Sequence, residues 1–450
     1  MRFGISAGLV CLVCLLGPGM HGQSQTPGQL TLDDALDLAA RNNPSYRRAL
    51  AQADASGANV RAGVGGLLPN LSANLSFTGA SRTVFTGTDD FGRSVELPTS
   101  STFKSSSSSQ SLSTSVTIFD GFSSLNNLRG ARAGASASNA GVDAERARLE
   151  AEIKRRFYEV IQSQQLIEIE EELLEVRRRD LEATDRLFRV AARTQVDVLG
   201  AQVEVSSQEQ ALDAARGSAR LSQLLLSEWI GLEETSEFEA VGELPAVFDP
   251  SPLDADQLVS QVLGENPQIR QAMANAAQAA FSATAAQGAR LPSISANASI
   301  GRSLQSDGYS GIFRFNPRDR GFNFGLSMSY PLFNRFQTSQ TIAQAEANKD
   351  VAEEDLRATR LQVEREVRSN LINVQNSYRS VQLADRSAQL ARQRLEMARE
   401  QYQVGSIDYT QMQLVVTQAA QAERNALSAR GNWASALVTL EEAVGRPVRP

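Results

Sequence analysis

The strongest constraint on this chain is that it contains one pattern twice. Asn43-Pro44 recurs as Asn266-Pro267, and Leu68-Pro69 as Leu291-Pro292, both displaced by 223 positions. The residues that follow are nearly the same: Pro-Asn-Leu-Ser-Ala-Asn-Leu-Ser from Pro69 and Pro-Ser-Ile-Ser-Ala-Asn-Ala-Ser from Pro292. Ile118-Phe119-Asp120 then matches Leu332-Phe333-Asn334 at a displacement of 214, which holds without a gap to Gly231 and Gly445. The nine-residue difference falls in the loop between the two matched blocks. Residues 23–231 and 255–445 are therefore expected to be two copies of one unit, with a linker over 232–254 that contains Pro245 and Pro252.

Within each copy the hydrophobic period changes twice. Residues 32–66 have helical spacing, and Thr31-Leu32-Asp33-Asp34 reads as a capped start. From Leu71 the period becomes two. Leu71, Ala73, Leu75 and Phe77 alternate with polar neighbours, as do Leu112, Thr114, Val116 and Ile118. In the second copy Ile294, Ala296, Ala298 and Ile300 do the same, then Phe322, Phe324, Leu326, Met328 and Tyr330. Four strands are expected, at about 70–86, 107–119, 293–304 and 321–331, with loops over 86–106 and 305–319. Ser105 to Ser109 reads either as loop or as the polar start of a strand. After the second strand the period becomes seven. Ile153, Val160, Ile167, Leu174, Leu181 and Phe188 repeat 214 residues later as Val367, Val374, Val381, Ala388, Leu395 and Tyr402. Residues 123–190 and 337–404 thus read as long supercoiled helices of about 100 Å each. Shorter helices return, so the hairpins span 123–230 and 337–443.

The first 22 residues set the compartment. Arg2 precedes an apolar run from Ile5 to Leu16, broken by Gly17-Pro18-Gly19, the pattern of a secretory signal peptide. The run is too short for a spanning helix, which needs about 20 apolar residues. Cys11, Cys14 and His21, the only cysteines and histidine, all lie in this segment. Without it the chain has no disulfide, no thiolate nucleophile, no Ser-His-Asp triad and none of the usual zinc ligand sets. Adjacent acids such as Asp33-Asp34 and Asp89-Asp90 lack a third group to orient them. No enzyme activity, metal or cofactor is expected.

Net charge is −7, and the only lysines are Lys104, Lys154 and Lys349. The arginines are interspersed with acids along helical stretches, the pattern of a solvated helix face, and no nucleic-acid partner is expected. No apolar run of 18 residues follows the signal segment, so a membrane crossing would have to be a barrel. Uncharged strands of about ten alternating residues have the length of a transmembrane strand. Aromatic residues cluster near the strand ends: Phe85, Phe103, Phe119, Phe122, Phe313, Phe315, Tyr330, Phe333 and Phe336. Four strands cannot close a barrel, so several chains must share one.

The repeat, the Asn-Pro and Leu-Pro junctions, the two-strand insertion and the long helix pairs together resemble the outer membrane efflux protein (TolC) family, over residues 30–446. The resemblance implies a fold that is mainly α with transmembrane β: a long coiled-coil α-helical barrel, plus four strands per protomer completing a twelve-stranded barrel in a homotrimer. It implies a passive duct of a tripartite efflux pump or type I secretion system. That duct would sit in outer-membrane lipid with a periplasmic extension, and would meet a periplasmic adaptor (membrane fusion) protein and an inner-membrane transporter of RND, ABC or MFS type. The other reading of the helices is a periplasmic coiled-coil adaptor or scaffold without a channel, which would lack aromatic-flanked uncharged strands.

Family members tend to carry an aromatic-x-x-Gly turn between the long helices, with an Asp six residues after the Gly. The turn in copy two is Tyr402-Gln403-Val404-Gly405, with Gln411 in place of the Asp. Copy one has Phe188-Arg189-Val190-Ala191, with Asp197 in place. The resemblance makes Phe188, Ala191, Asp197, Tyr402, Gly405, Asp408 and Gln411 the periplasmic entrance and adaptor tip. Two readings of Asp197 stand: a lumen-facing acid that favours cations, or a helix cap. Asp408 has the same two readings. Pro69, Pro292 and Pro331 are expected at helix–strand junctions, where a missing amide donor sets a boundary.

Overall fold

The computed structural model describes residues 28–88, 90–232, 238–307 and 320–448. The signal segment with Cys11, Cys14 and His21, together with Asp89, Phe313 and Phe315, falls outside the described residues.

Copy one begins with β1 (Gln29–Leu30) and α1 (Leu32–Asn42). Thr31 caps α1: its hydroxyl accepts the Asp34 amide while the Asp34 carboxylate accepts from the Thr31 amide. The 32–66 stretch is two helices and not one, because Pro44 has no amide hydrogen to continue the first. Asn43 starts α2 (Pro44–Gly65) by accepting the Ser45 and Tyr46 amides on Oδ1, at 2.9 and 3.0 Å. Then come β2 (Asn70–Thr88), β3 (Ser94–Phe119), α3 (Ser123–Arg189) and α4 (Gln195–Ile230). After β4 (Glu239–Ala240), which pairs in parallel with β1, copy two repeats the order. Its elements are α5 (Ala255–Glu265), α6 (Pro267–Gln287), β5 (Ser293–Asp307), β6 (Gly321–Ser329), α7 (Gln337–Gln403) and α8 (Tyr409–Val444). Asn266 caps α6 as Asn43 caps α2.

Several strand boundaries differ from the sequence expectation: β2 runs to Thr88 and β5 to Asp307, each into an expected loop, and two differences are larger or have a clear cause. Residues 94–106 are strand and not loop. Ser105 to Ser109 pair on one side with β2 and on the other with β5, so the ladder satisfies a backbone that the serine run left ambiguous. In copy two β6 ends at Ser329, just before Pro331, whereas in copy one β3 continues to Phe119. Thr117 keeps the amide that Pro331 lacks. Pro69 and Pro292 each stand directly before a strand.

The four strands form one antiparallel sheet in the order β2-β3-β5-β6, open at both edges. Its register sorts the side chains by face. Leu71, Thr114, Ala298 and Phe324 are aligned across all four strands, as are Ala73, Leu112, Ile300 and Phe322. On the other face Ser72, Ser113, Ser299 and Asn323 align, and the Ser72 and Ser113 hydroxyls lie 2.8 Å apart. The apolar face is uncovered: Leu71, Leu75, Phe324 and Leu326 are exposed, Phe324 by 82%. Counted from the helical side, Asn70–Ser81, Ser293–Gly301 and all of β6 carry no charge.

At the sheet's helical end the chain reverses through residues in the left-handed region: Gly121 and Phe122 in copy one, Arg335 and Phe336 in copy two. Asp120 then accepts the Ser124 amide at 2.8 Å, and Asn334 bonds the Thr338 hydroxyl. Phe119 packs edge-on to Phe122, and Phe333 to Phe336.

Below the sheet the long helices lie in a row, α4-α3-α8-α7, with α4 and α7 outermost. Midway along the long helices the heptad seam is buried as expected, with Ile153, Val160, Val367 and Val374 fully inaccessible, whereas further along Ile167, Leu181 and Leu395 are only half-buried and Phe188 is exposed. One core gathers around α1, α3 and β4, and its counterpart around α5, α7 and Trp433 of α8.

Candidate functional site: the two hairpin tips

The tips lie at the end of α3 and α7 remote from the sheet, about 100 Å along each helix. Both close with a residue in the left-handed region, Ala191 at φ +58° and Gly405 at φ +76°. A glycine adopts this conformation freely, but an alanine pays about 1–2 kcal/mol in Cβ–carbonyl crowding. Ala191→Gly should therefore raise stability by roughly 0.5–1 kcal/mol after the larger chain entropy of glycine is subtracted. A lower denaturant midpoint for this variant would contradict the assignment of strain.

The returning helices start with acids used in two ways. In copy one Thr194 is the cap: its hydroxyl accepts the Asp197 amide at 3.3 Å, while the Asp197 carboxylate accepts from the Thr194 amide and hydroxyl, both at 2.9 Å. In copy two Asp408 takes the position of Thr194 and accepts the Gln411 amide at 2.7 Å. The acid missing at Gln411 is thus supplied three residues earlier, and each tip keeps one carboxylate at a helix N-terminus.

The aromatic pair is not equivalent. Tyr402 is buried, and Phe188 is 40% exposed beside exposed Val190 and Val196. Tyr402 is covered by Arg193, whose guanidinium lies 4.6 Å from the ring centroid and whose Nη2 donates to the Ile407 carbonyl at 3.4 Å. The Thr184 hydroxyl lies 3.4 Å from the Tyr402 hydroxyl. The two tips of one protomer are therefore tied by Arg193 and Thr184.

Above the tips α3 carries a second row at heptad spacing that is polar and buried: Ser163, Glu170, Arg177 and Thr184. Each has a partner on another helix. Ser163 meets Ser222 at 2.9 Å. Glu170 accepts from Gln208 at 2.6 Å and from Arg424 at 2.6 and 2.7 Å. Arg177 reaches Glu204 and the Thr417 hydroxyl, both at 3.2 Å. The equivalent positions of α7 are Ser377, Ala384, Ala391 and Ala398, so the polar row belongs to copy one alone. It was signalled by the period of seven, but a search for apolar residues at that spacing passes over it.

Near this row Arg177 Nη1, Asp180 Oδ2, the Tyr409 hydroxyl and Gln413 Oε1 are buried without a protein hydrogen-bond partner among the described residues. Burial raises the Asp180 carboxyl above the ordinary aspartate range and outweighs the opposing charges of Arg399, Arg177 and Arg179. Burial likewise drives the Tyr409 phenol up. A carboxyl with a raised folded-state pKa favours folding most at pH below its unfolded range, and this contribution is lost as pH rises through the folded value. Asp180→Asn should therefore be more stable than wild type at neutral pH, with the difference closing on acidification below the ordinary aspartate range. Equal stability at neutral pH would show that Asp180 carries no such penalty.

Among the described residues no helix is long and apolar enough to cross a membrane, and no group of three or more His, Cys, Asp or Glu side chains converges.

The family model for outer membrane efflux proteins matches residues 35–232 and 258–446. Among solved structures the chain is similar to the CmeC outer membrane channel of Campylobacter jejuni, with TM-score 0.77 and 18% identity over 92% of this chain and 85% of that one. It is similar to VceC of Vibrio cholerae, with TM-score 0.73 and 18% identity over 92% and 96%. It is also similar to the open state of the MtrE outer membrane channel of Neisseria gonorrhoeae, with TM-score 0.73 and 20% identity over 92% and 89%. No curated protein matches the chain by sequence.

Proposed function

Since the chain belongs to the outer membrane efflux protein family, whose members are channels and not enzymes, we propose that it is the outer-membrane duct of a tripartite efflux pump or type I secretion system. Three protomers share one twelve-stranded barrel. The helical row continues the conduit into the periplasm. The tips meet a periplasmic adaptor coupled to an inner-membrane transporter of RND, ABC or MFS type.

The observation that carries this reading is the sheet. One face is apolar and uncovered, its other face is serine and asparagine, and both edges, β2 and β6, are unpaired among the described residues. Unpaired edges are not tolerated in hydrocarbon, so the edges of neighbouring protomers must meet. A periplasmic scaffold would have no use for an uncovered apolar sheet. Fractionation tests this directly. The protein should stay with the outer membrane after osmotic shock and come out only in detergent; release by osmotic shock would favour the scaffold.

The same reading makes the tip the entrance, with Asp197 and Asp408 contributing negative charge from each protomer. Asp197→Ala should lower cation preference in planar-bilayer conductance and, through loss of the capping box, cost about 0.5–2 kcal/mol of stability. Lower stability with unchanged selectivity would leave Asp197 as a cap only.

A further inference from the structure

The buried polar row of α3 runs down into a cluster that holds more acceptors than donors. The α3–α8 contact is antiparallel: Glu170 meets Arg424, and Arg177 meets Thr417 seven residues further along each helix. The same register sets Asp180 and Thr184 of α3 against Gln413 and Tyr409, which lie one and two turns before Thr417 on α8. Helix α4 closes the third side. A Cβ at Gly200 would come within 3.3 Å of the Tyr409 ring, and Glu204, one turn on, pairs with Arg177 at 3.2 Å.

Two of the orphaned atoms in this cluster, Asp180 Oδ2 and Gln413 Oε1, are both acceptors when the carboxyl is ionised, so no hydrogen can then lie between them. A buried acceptor without a hydrogen is costly. An ionised Asp180 also lacks a dedicated cation. Arg177 gives Nη2 to Glu204 and Thr417, so its charge is already balanced from α4. Arg179 on α3 and Arg399 on α7 contribute charge but no hydrogen bond to the carboxyl among the described residues. The other titratable groups of the cluster are the phenols of Tyr409 on α8 and Tyr402 on α7. A proton on Oδ2 resolves the conflict, because the carboxyl then becomes a donor and the register sets the Gln413 carbonyl opposite it.

We propose that Asp180 holds a proton in this cluster and donates it to the Gln413 side-chain carbonyl, so that a bound proton fastens the start of α8 to α3 just above the tip. The burial that raises the Asp180 carboxyl acts in the same direction. The fastening reaches one turn further down, since the Thr184 hydroxyl donates to the Asp180 backbone carbonyl at 2.8 Å and lies beside the Tyr402 hydroxyl. The sign follows from the raised value. Below the folded-state pKa the proton stays and the contact is closed; as pH rises through it, the carboxyl ionises among acceptors and the start of α8 loosens. The repeat equivalents of Asp180 and Gln413 are Arg394 and Leu199, so the device occurs once per chain. It concerns the helical row alone and holds whether or not the sheet closes a shared barrel.

Infrared difference spectroscopy of the full-length protein in detergent, wild type minus Asp180→Asn, isolates the carbonyl stretch of this one carboxyl. At about pH 5.5 an ordinary aspartate, with a pKa of about 3.9, is ionised. A protonated-carboxyl band is expected there in wild type, and it should titrate away at higher pH. Its absence at about pH 5.5 would overturn the proposal and leave an ionised Asp180 reached by water. Gln413→Met keeps the volume but removes the acceptor, and should lower the midpoint of the band. An unmoved midpoint would make Gln413 a packing residue only. A raised midpoint would mean that its amide nitrogen donates to a carboxylate; either result contradicts the proposal. Hydrogen exchange over Met412–Ala420 reads the fastening itself. Above the midpoint this segment should exchange at least tenfold faster in wild type than in Asp180→Asn at the same pH, and below it the two should match. Equal exchange at every pH would show that the proton does not fasten α8 to α3.

Discussion

Replacing Arg424 with alanine is expected to destabilise the protein by about 3–5 kcal/mol, the cost of stranding a buried charge. Its partner Glu170 is 4% exposed and accepts from two Arg424 nitrogens and from Gln208. Burial alone would raise the Glu170 pKa. The hydrogen bonds from Arg424 and Gln208, with the Arg424 charge, outweigh it and hold the carboxyl below the ordinary glutamate range. A depressed carboxylate contributes stability above its unfolded pKa and loses it as pH falls through the folded value. The wild-type advantage over Arg424→Ala should therefore shrink on acidification below the ordinary glutamate range. Replacing both partners, as Glu170→Leu with Arg424→Met, should be less harmful than Arg424→Ala alone, because no orphaned charge remains. Denaturant unfolding of the three proteins decides the matter. A single variant as stable as wild type would mean that water reaches Glu170 freely.

The second large effect is expected at Val374. This residue is fully inaccessible and belongs to the core formed by Val367, Leu371, Val381, Trp433 and Leu440. Phe248 packs edge-on to Trp433 with ring centroids 5.2 Å apart, so the core ties the helical row to the segment that precedes α5. An aspartate at 374 would have no basic partner in this cluster, and its burial should cost several kcal/mol. Val374→Asp should lose its cooperative thermal transition or shift it strongly downward. Val160→Asp should do the same in the equivalent core of copy one, where Ile153, Phe157 and Leu226 surround it. Unchanged thermal stability in both variants would mean that the heptad seam does not carry the fold.

Some of this was legible in sequence because the physics is local. The cap at Thr31 follows from residue type and position, whereas the helical spacing over 32–66 did not reveal the break at Pro44 or the cap at Asn43. The burial of Val160 and Val374 follows from a seven-residue period that only helix-on-helix packing explains. The buried polar row was less legible. Whether Glu170 is buried depends on Arg424 and Gln208, which folding brings from 254 and 38 residues away. The extent of β3 was hidden because serines report no face, and only pairing with β2 and β5 fixes it. Phe188 and Tyr402 occupy equivalent positions in the repeat, yet one is exposed and the other is covered by Arg193, since the neighbours of the two copies differ. At the tip the departures from the family pattern have local reasons. Ala191 keeps the backbone conformation of the glycine it replaces, and Asp408 supplies the carboxylate that Gln411 lacks.

The two copies of the repeat are alike in backbone and unlike in chemistry. Copy one joins its helices through Ser163, Glu170, Arg177 and Thr184, and copy two uses Ser377 and three alanines at the same places. Alanines permit close, apolar packing, whereas the polar row fixes register through specific pairs.

Each protomer presents one incomplete sheet and one open row of helices. The central claim is therefore best tested by the mass of the purified full-length protein in detergent, measured by light scattering with the detergent contribution subtracted. Three chains per particle are expected. A folded, monodisperse particle with the mass of a single chain would contradict the shared barrel and, with it, the channel.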